Sequence, residues 1–210
     1  PPPRPRAHTQ DMFLELLEAI GVEPRPVRWR LAPTPAELEE QRAFFAGFGR
    51  PVAAIVPASA NAKKDWVPER YGAVIDALDR DFGMDALIVG GPSARERGLA
   101  ERIVASSSAK PVVALGDGVR RLVWLLGGSR LVIAPDTGPV HIARAMEVPV
   151  IGLYGHTNPW RVGPWRAYED LWVDAYTEPG EPPDASNATP KLDRMERITA
   201  AEVVERVRRA

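Results

Sequence analysis

The sequence contains no cysteine, which excludes a disulfide framework and any metal site built on thiolates. It also lacks an excess of positive charge: 27 basic and 28 acidic side chains leave a net charge of −1, whereas a general nucleic-acid binder would be basic. No apolar run approaches the roughly 20 residues of a membrane-spanning helix, and the proline-rich N-terminus has no apolar stretch typical of a signal peptide. We therefore expect a soluble, cytoplasmic protein that makes at most peripheral contact with a membrane.

Motifs that mark several large enzyme classes are missing as well. The sequence has no Walker-type loop, no Gly-x-Ser-x-Gly elbow and no Gly-x-Gly-x-x-Gly fingerprint, so kinase, hydrolase and dehydrogenase interpretations lose their main support. The three histidines, His8, His141 and His156, have no paired carboxylates at ligand spacing, and we predict no metal site.

Proline, by contrast, is abundant, and its 22 residues concentrate towards both ends of the chain. Between these ends, short and wholly apolar segments alternate with amphipathic ones. The pattern predicts strands at 52–56, 86–89, 112–115, 131–134 and 150–154, with helices between them. Such alternation is typical of βαβ units, whose parallel sheet is covered by helices on both faces. We expect an α/β fold with a doubly wound, Rossmann-like parallel sheet.

The pattern divides the chain into three regions. Residues 50–197 form the Rossmann-like domain, and residues 198–210 form a C-terminal helix. Residues 1–49 hold two helices, of which the first covers residues 9–20 and has an apolar stripe. Capping boxes open the second of these helices and the C-terminal helix, at Thr34–Glu37 and Thr199–Glu202.

The segment Asp136-Thr-Gly-Pro-Val-His141 follows the predicted strand at 131–134 and opens a helix. A strand that turns directly into a helix aims backbone N–H groups and the positive end of the helix dipole at one point, which makes a site for an anion such as phosphate. Gly138 lets a ligand approach the backbone closely. The alternative is structural: Asp136 caps the helix, Thr137 bonds a turn, and His141 is a satisfied polar group.

Loops after two other predicted strands carry further candidates. The small-residue loop after the first strand includes Ser59, and Lys63 or Lys64 adds a positive charge suited to phosphate. The same lysines also fit a solvated pair on a surface loop. After the second strand, a glycine pair precedes Ser93 and Glu96, either of which could reach ribose hydroxyls or simply belong to an exposed helix start.

The loop after the last predicted strand reaches over the same edge of the sheet. Thr157 and Asn158 in this loop are hydrogen-bonding candidates, whereas a lone His156 beside a turn is more often structural.

Taken together, these segments resemble the glycosyltransferase family that contains the ADP-heptose:lipopolysaccharide heptosyltransferases. The resemblance covers nearly all of residues 50–210. Its segments, in chain order, are Lys64-Asp-Trp66 with Pro68-Glu-Arg-Tyr71, Leu87-Ile-Val-Gly-Gly-Pro92, Asp136-Thr-Gly-Pro-Val-His141, and Tyr154-Gly-His-Thr-Asn-Pro159 with Gly163-Pro164.

The resemblance implies one half of a GT-B fold, in which two Rossmann-like domains face a cleft. The C-terminal domain of such a protein holds a nucleotide-sugar donor, here ADP-heptose, and the N-terminal domain carries the acceptor site and the catalytic carboxylate. Residues 1–49 resemble the end of that N-terminal domain and its linker. This chain is thus expected to be the donor-binding half and to lack the catalytic base, with a glycolipid or glycan acceptor binding through the N-terminal domain. No metal or other cofactor is needed in that scheme.

By the same resemblance, Lys64 meets the donor phosphates and Asp136 holds sugar hydroxyls. Thr137 and Gly138 offer groups to the diphosphate, and His141 supports the sugar or a phosphate. The expected donor-binding set is completed by Ser59, Glu96 and Thr157.

The sequence departs from the family pattern at two positions. Ala94 stands where the family often has an acidic residue for the ribose, a role that Glu96 takes over in our interpretation. His156 replaces a proline after the last strand, where it bears on sugar preference. Two alternatives remain open from the sequence: a non-catalytic nucleotide-binding module, and a GT-B-like sugar-nucleotide epimerase.

Overall fold

A computed structural model describes residues 8–116 and 118–210 of the chain. Residues 1–7, which include the first proline cluster of the predicted region 1–49, lie outside the described residues, as does Asp117. The described residues form one six-stranded sheet. Its strands are β1 (Val52–Ile55), β2 (Asp85–Gly90), β3 (Val112–Leu115), β4 (Leu131–Pro135), β5 (Val150–Tyr154) and β6 (Val173–Asp174).

The sheet is parallel throughout, in the order β3-β2-β1-β4-β5-β6. This order confirms the predicted doubly wound, Rossmann-like fold. The strands β1 and β4 lie side by side in the middle of the sheet, where the strand order reverses. Sheets of this type bind ligands at such a reversal, beyond the carboxyl ends of the strands.

Helices cover both faces of the sheet. Their bounds are α1 (Thr9–Ala19), α2 (Pro35–Phe45), α3 (Pro68–Phe82), α4 (Ala94–Ser106), α5 (Val119–Gly127), α6 (Gly138–Ala145), α7 (Pro159–Val162) and α8 (Ala200–Arg209). Successive residues of β1 point to opposite faces, so that Ala53 and Ile55 join the core beneath α3, α4 and α8. Val52 and Ala54 join the second core, beneath α5 and α6. Aromatic residues of α2 cover the edge of that second core.

The expected apolar stripe of α1 is only partly buried. Leu14 is buried against the rest of the chain. Phe13, Leu16 and Ile20 are 57%, 58% and 74% exposed. The structure therefore confirms the helix, but the described residues leave most of its apolar face exposed.

Both predicted capping boxes form. The Thr34 hydroxyl accepts from the Glu37 N–H at 3.3 Å, while the Glu37 carboxylate accepts from the Thr34 N–H at 2.7 Å. The Thr199–Glu202 pair opens α8 in the same way. The stretch from 155 to 197, which lacks clear periodicity, contains α7 and the two-residue strand β6. Among the described residues, no helix combines the length and the apolarity needed to cross a membrane.

Candidate functional site

The candidate site lies where β1 and β4 end beside each other. Lys64 ends a 3-10 turn (Ala62–Lys64) after β1, and Asp136 follows directly after β4. The Lys64 Nζ donates to the Asp136 Oδ2 at 2.6 Å. Asp136 is buried, with 8% of its surface exposed. The fold thus brings together a cation and a carboxylate that lie 72 residues apart in the sequence.

The N-terminus of α6 does not use these groups as caps. Its N-cap residue is Thr137, which is extended (φ −154°, ψ 162°) and whose side chain makes no capping hydrogen bond. Ser93, by contrast, caps α4 with its side chain. A Cβ added at Gly138 would meet no atom within 4 Å, so the approach to the first turn of α6 is open. Pro139 has no N–H and the Val140 N–H already donates to the Thr137 carbonyl at 3.0 Å, so among the first three residues of α6 the Gly138 N–H is the one left for an anion. The capping interpretation of Asp136 does not fit this geometry.

A cavity of about 310 Å³ opens beside this helix start. Asp136 and His141 both line it. The His141 ring is exposed to the cavity, yet the surrounding protein desolvates it and lowers its pKa; Asp136 opposes this shift and Lys64 adds to it. His141 is therefore neutral at pH 7 and has one ring nitrogen that donates and one that accepts a hydrogen bond.

Ser59 lies in the loop after β1 but is occupied within that loop. Its N–H donates to the Asp65 Oδ1 at 2.8 Å, and its hydroxyl donates to the Asn61 carbonyl at 2.7 Å. Arg95, at the start of α4, contacts both the Asp65 carboxylate and the Ser59 carbonyl. Burial raises the pKa of Asp65, against the opposing effect of the hydrogen bonds and of Arg95. This network fixes the loop that carries Lys64.

Glu96 closes the glycine turn after β2. One carboxylate oxygen accepts from the Gly91 N–H at 2.7 Å, and the other accepts from the Ser93 hydroxyl at 2.6 Å. Burial opposes ionisation, but these hydrogen bonds prevail and lower the pKa of Glu96. Both of its oxygens are thus engaged in shaping the loop, and its role towards a ribose stays a prediction.

Thr157 follows β5 and is half-buried. The described residues that line the cavity beside Asp136 do not include Thr157. Its neighbours tie down the C-terminal segment: the His156 ring meets the Lys191 carbonyl at 2.9 Å, and the Asn158 amide donates to the carbonyl of Asp184 at 2.7 Å. The expectation that His156 is structural agrees with this contact.

The far wall of the cavity comes from residues that the sequence analysis did not select. His8, Phe13 and Trp29 reach it from the N-terminal segment, and Arg144 and Trp165 complete it. The N-terminal segment is held there by a hydrogen bond between the His8 Nε2 and the Gly163 carbonyl at 2.9 Å. Trp29 and Trp165 meet edge to face, with ring centroids 6.1 Å apart. The sequence carries no motif around His8 or Trp29 that could have revealed this approach.

Comparison with known proteins places the chain in a family. Residues 3–179 match the model of glycosyltransferase family 9 (heptosyltransferase). The chain belongs to this family. The lipopolysaccharide core heptosyltransferase OpsX of Haemophilus influenzae is 32% identical to the chain over 172 residues, which cover 81% of this chain and 49% of OpsX. The chain spans about half the length of the curated relatives it matches.

Solved structures of family members share the fold. The glycosyltransferase of family 9 from Veillonella parvula matches with a TM-score of 0.79 and 22% identity, over 96% of this chain and 59% of that one. The ADP-heptose heptosyltransferase II of E. coli matches with a TM-score of 0.69 and 21% identity, over 89% of this chain and 54% of that one. The chain therefore has the architecture of one half of a GT-B-like glycosyltransferase.

Proposed function

We propose that this chain is the donor-binding half of a heptosyltransferase, which transfers heptose from ADP-heptose to a lipopolysaccharide core or a related glycan. One observation carries the proposal: in a family 9 chain, Lys64 and Asp136 meet at the open N-terminus of α6, where the strand order reverses. The donor follows from the name of the E. coli neighbour, which is an ADP-heptose enzyme, and the acceptor follows from the name of OpsX.

In this proposal the residues act on different parts of the donor. Lys64, Thr137 and the Gly138 N–H at the start of α6 bind the diphosphate, and Asp136 accepts hydrogen bonds from sugar hydroxyls. The neutral His141 supports the sugar or a phosphate from the cavity side. The donor is a substrate, and the proposal includes no further cofactor.

The reaction is a direct displacement at the anomeric carbon. The acceptor oxygen forms a bond to that carbon while the bond to the diphosphate breaks, and the acceptor proton passes to a base outside this chain. ADP leaves with the electron pair of the broken bond. Lys64 and the α6 dipole stabilise the charge that develops on ADP, and losing one such contact typically slows a reaction by on the order of 10²-fold.

The acceptor and the base belong, in this proposal, to a second domain that packs on the N-terminal segment. The exposed apolar side chains of α1 support this assignment, because Phe13, Leu16 and Ile20 form an uncovered face. The same segment forms one wall of the cavity beside Asp136, so a domain covering α1 would also face the donor.

Calorimetric titration with ADP-heptose, ADP, UDP-glucose and free heptose tests the donor assignment. We expect ADP-heptose to bind, Lys64→Ala to weaken both ADP and ADP-heptose by about tenfold or more, and Asp136→Ala to remove the contribution of the sugar. Absence of sugar-nucleotide binding in the parent chain would contradict the proposal.

A further inference from the structure

Asp136 presents an electrostatic conflict in the proposed site. A diphosphate is attracted by Lys64 and by the N-terminus of α6, but the carboxylate of Asp136, the residue directly before the N-cap, is paired with Lys64 at 2.6 Å. Asp136 is almost fully buried, and its hydrogen-bond partner among the described residues is Lys64. The ammonium group that the phosphates need is thus already neutralised by a buried negative charge.

Binding of a bare nucleoside diphosphate has to disturb this pair. If Lys64 turns towards the phosphates, Asp136 keeps its charge but loses its partner, and it faces a second anion at short range. Leaving a buried charge without its partner is strongly unfavourable, and like charges at short range add to the cost. Asp136 therefore weakens the binding of ADP.

A sugar on the diphosphate removes most of this penalty. Its hydroxyl groups donate hydrogen bonds to the carboxylate, and hydrogen bonds to an ionised acceptor are about twice as strong as neutral ones. The hydroxyls thereby replace Lys64 as the partner of Asp136, and Lys64 becomes free to bind phosphate. The same carboxylate that repels ADP is satisfied by the intact donor.

We infer that Asp136 is a specificity-determining residue that makes the site prefer the sugar-bearing donor over free ADP, with Lys64 as the group exchanged between carboxylate and phosphate. The inference rests on the proposed function. It also accounts for product release: once the sugar has moved to the acceptor, Lys64 returns to Asp136 and ADP loses its strongest cation.

The test measures the dissociation constants of ADP and of ADP-heptose for the 210-residue chain and for Asp136→Asn. Asparagine keeps the shape but removes the charge. We expect Asp136→Asn to bind ADP several-fold to tenfold more tightly and ADP-heptose about tenfold more weakly, so that the preference for the donor falls by roughly 10²-fold. Asp136→Ala carries the same expected signs and replaces the asparagine variant if that one does not fold.

Asp79→Asn is the matched control. Asp79 pairs with Arg50 at 2.7 Å on an exposed surface, and Arg50 keeps Asp85 as a second partner. This variant undergoes the same chemical change and should leave both dissociation constants unaltered.

The outcomes separate the inference from the proposed function. If the parent chain binds both ligands but Asp136→Asn weakens ADP as much as ADP-heptose, then Asp136 only positions Lys64 and the inference is wrong while the donor site stands. If neither ligand binds the parent chain, the proposed function fails and the inference fails with it.

Discussion

The ion pair between Lys64 and Asp136 matters more for position than for stability. For a pair with a carboxylate this buried, the cost of removing the charges from water offsets most of their attraction. Its effect is to hold a cation and a hydrogen-bond acceptor at the open start of α6 before any donor arrives. Because both groups are already fixed beside the helix start, donor binding requires a change of partner at Lys64 but no ordering of flexible segments.

His141 should make ADP binding depend on pH. Its pKa lies below 6.5 in the structure, chiefly because of desolvation. A bound diphosphate brings negative charge and should raise this pKa, so the complex takes up protons and ADP binds more tightly as the pH falls through the interval between the two values. If ADP raises the proton affinity of the ring about tenfold, ADP affinity at low pH rises about tenfold as well. NMR titration of the His141 ring, with and without ADP, measures both pKa values.

The parallel titration of His141→Gln provides the control for this prediction. ADP itself takes up a proton in this range, so the informative quantity is the difference between the pH dependence of the parent and that of the variant. An unchanged pKa of His141 on ADP binding would show that the ring does not sense the phosphates.

At the scale of elements, the helices α3 and α4 touch through a glycine. A Cβ at Gly72 would lie 2.8 Å from the carbonyl oxygen of Ser106, which is backbone and cannot turn away. We expect Gly72→Ala to destabilise the protein by about 1–3 kcal/mol, because the helices must separate. Gly98→Ala in α4 is the matched control: its Cβ meets no atom within 4 Å, and it should stabilise by up to about 1 kcal/mol. Urea unfolding measures the free energy of unfolding of both variants. Equal changes in this free energy would contradict the packing argument.

The attachment of α1 should weaken in acid. The His8 Nδ1 accepts from the Gln10 N–H at 3.0 Å, and its Nε2 donates to the Gly163 carbonyl, so the neutral ring is required. Burial lowers its pKa below 6.5, against the Gly163 hydrogen bond and Asp11. The stabilisation is therefore fully present above about pH 6.5 and is lost as the pH falls through the lowered pKa.

Hydrogen exchange of the α1 amides, corrected for the intrinsic dependence of exchange on pH, measures this loss. We expect protection in α1 to fall at pH 5 by an amount comparable to a lost N-cap, about 1 kcal/mol. His8→Asn keeps a side chain that caps helices but does not titrate, so its α1 protection should be insensitive to pH. Equal pH dependence in both proteins would rule out His8 as the cause.

The elements differed in how far the sequence could predict them. Five strands are short, wholly apolar runs, and the structure confirms each of them within two residues. The strand β6 has two residues, Val173 and Asp174, and no pattern of that length distinguishes a strand from a loop. In the site, Lys64 and Asp136 could be predicted from the sequence because the loops after parallel strands lie at one edge of the sheet. His8 and Trp29 could not be predicted, because their position beside the cavity depends on tertiary contacts between distant segments.

At the scale of the whole molecule, we expect this chain to bind the donor without transferring its sugar efficiently. The described residues form one sheet, and Lys64 and Asp136 meet at its edge. In our proposal these residues bind the nucleotide-sugar, and the acceptor site and the base lie on another domain. We expect the 210-residue chain to bind ADP-heptose but to transfer heptose to a deacylated lipopolysaccharide core at least about 10²-fold more slowly than OpsX, since a general base alone contributes that much and acceptor positioning contributes more. Full-length OpsX serves as the positive control, with ADP release and glycan mass as readouts. Transfer by this chain at a rate near that of OpsX would place the base among its own residues and overturn the division of labour.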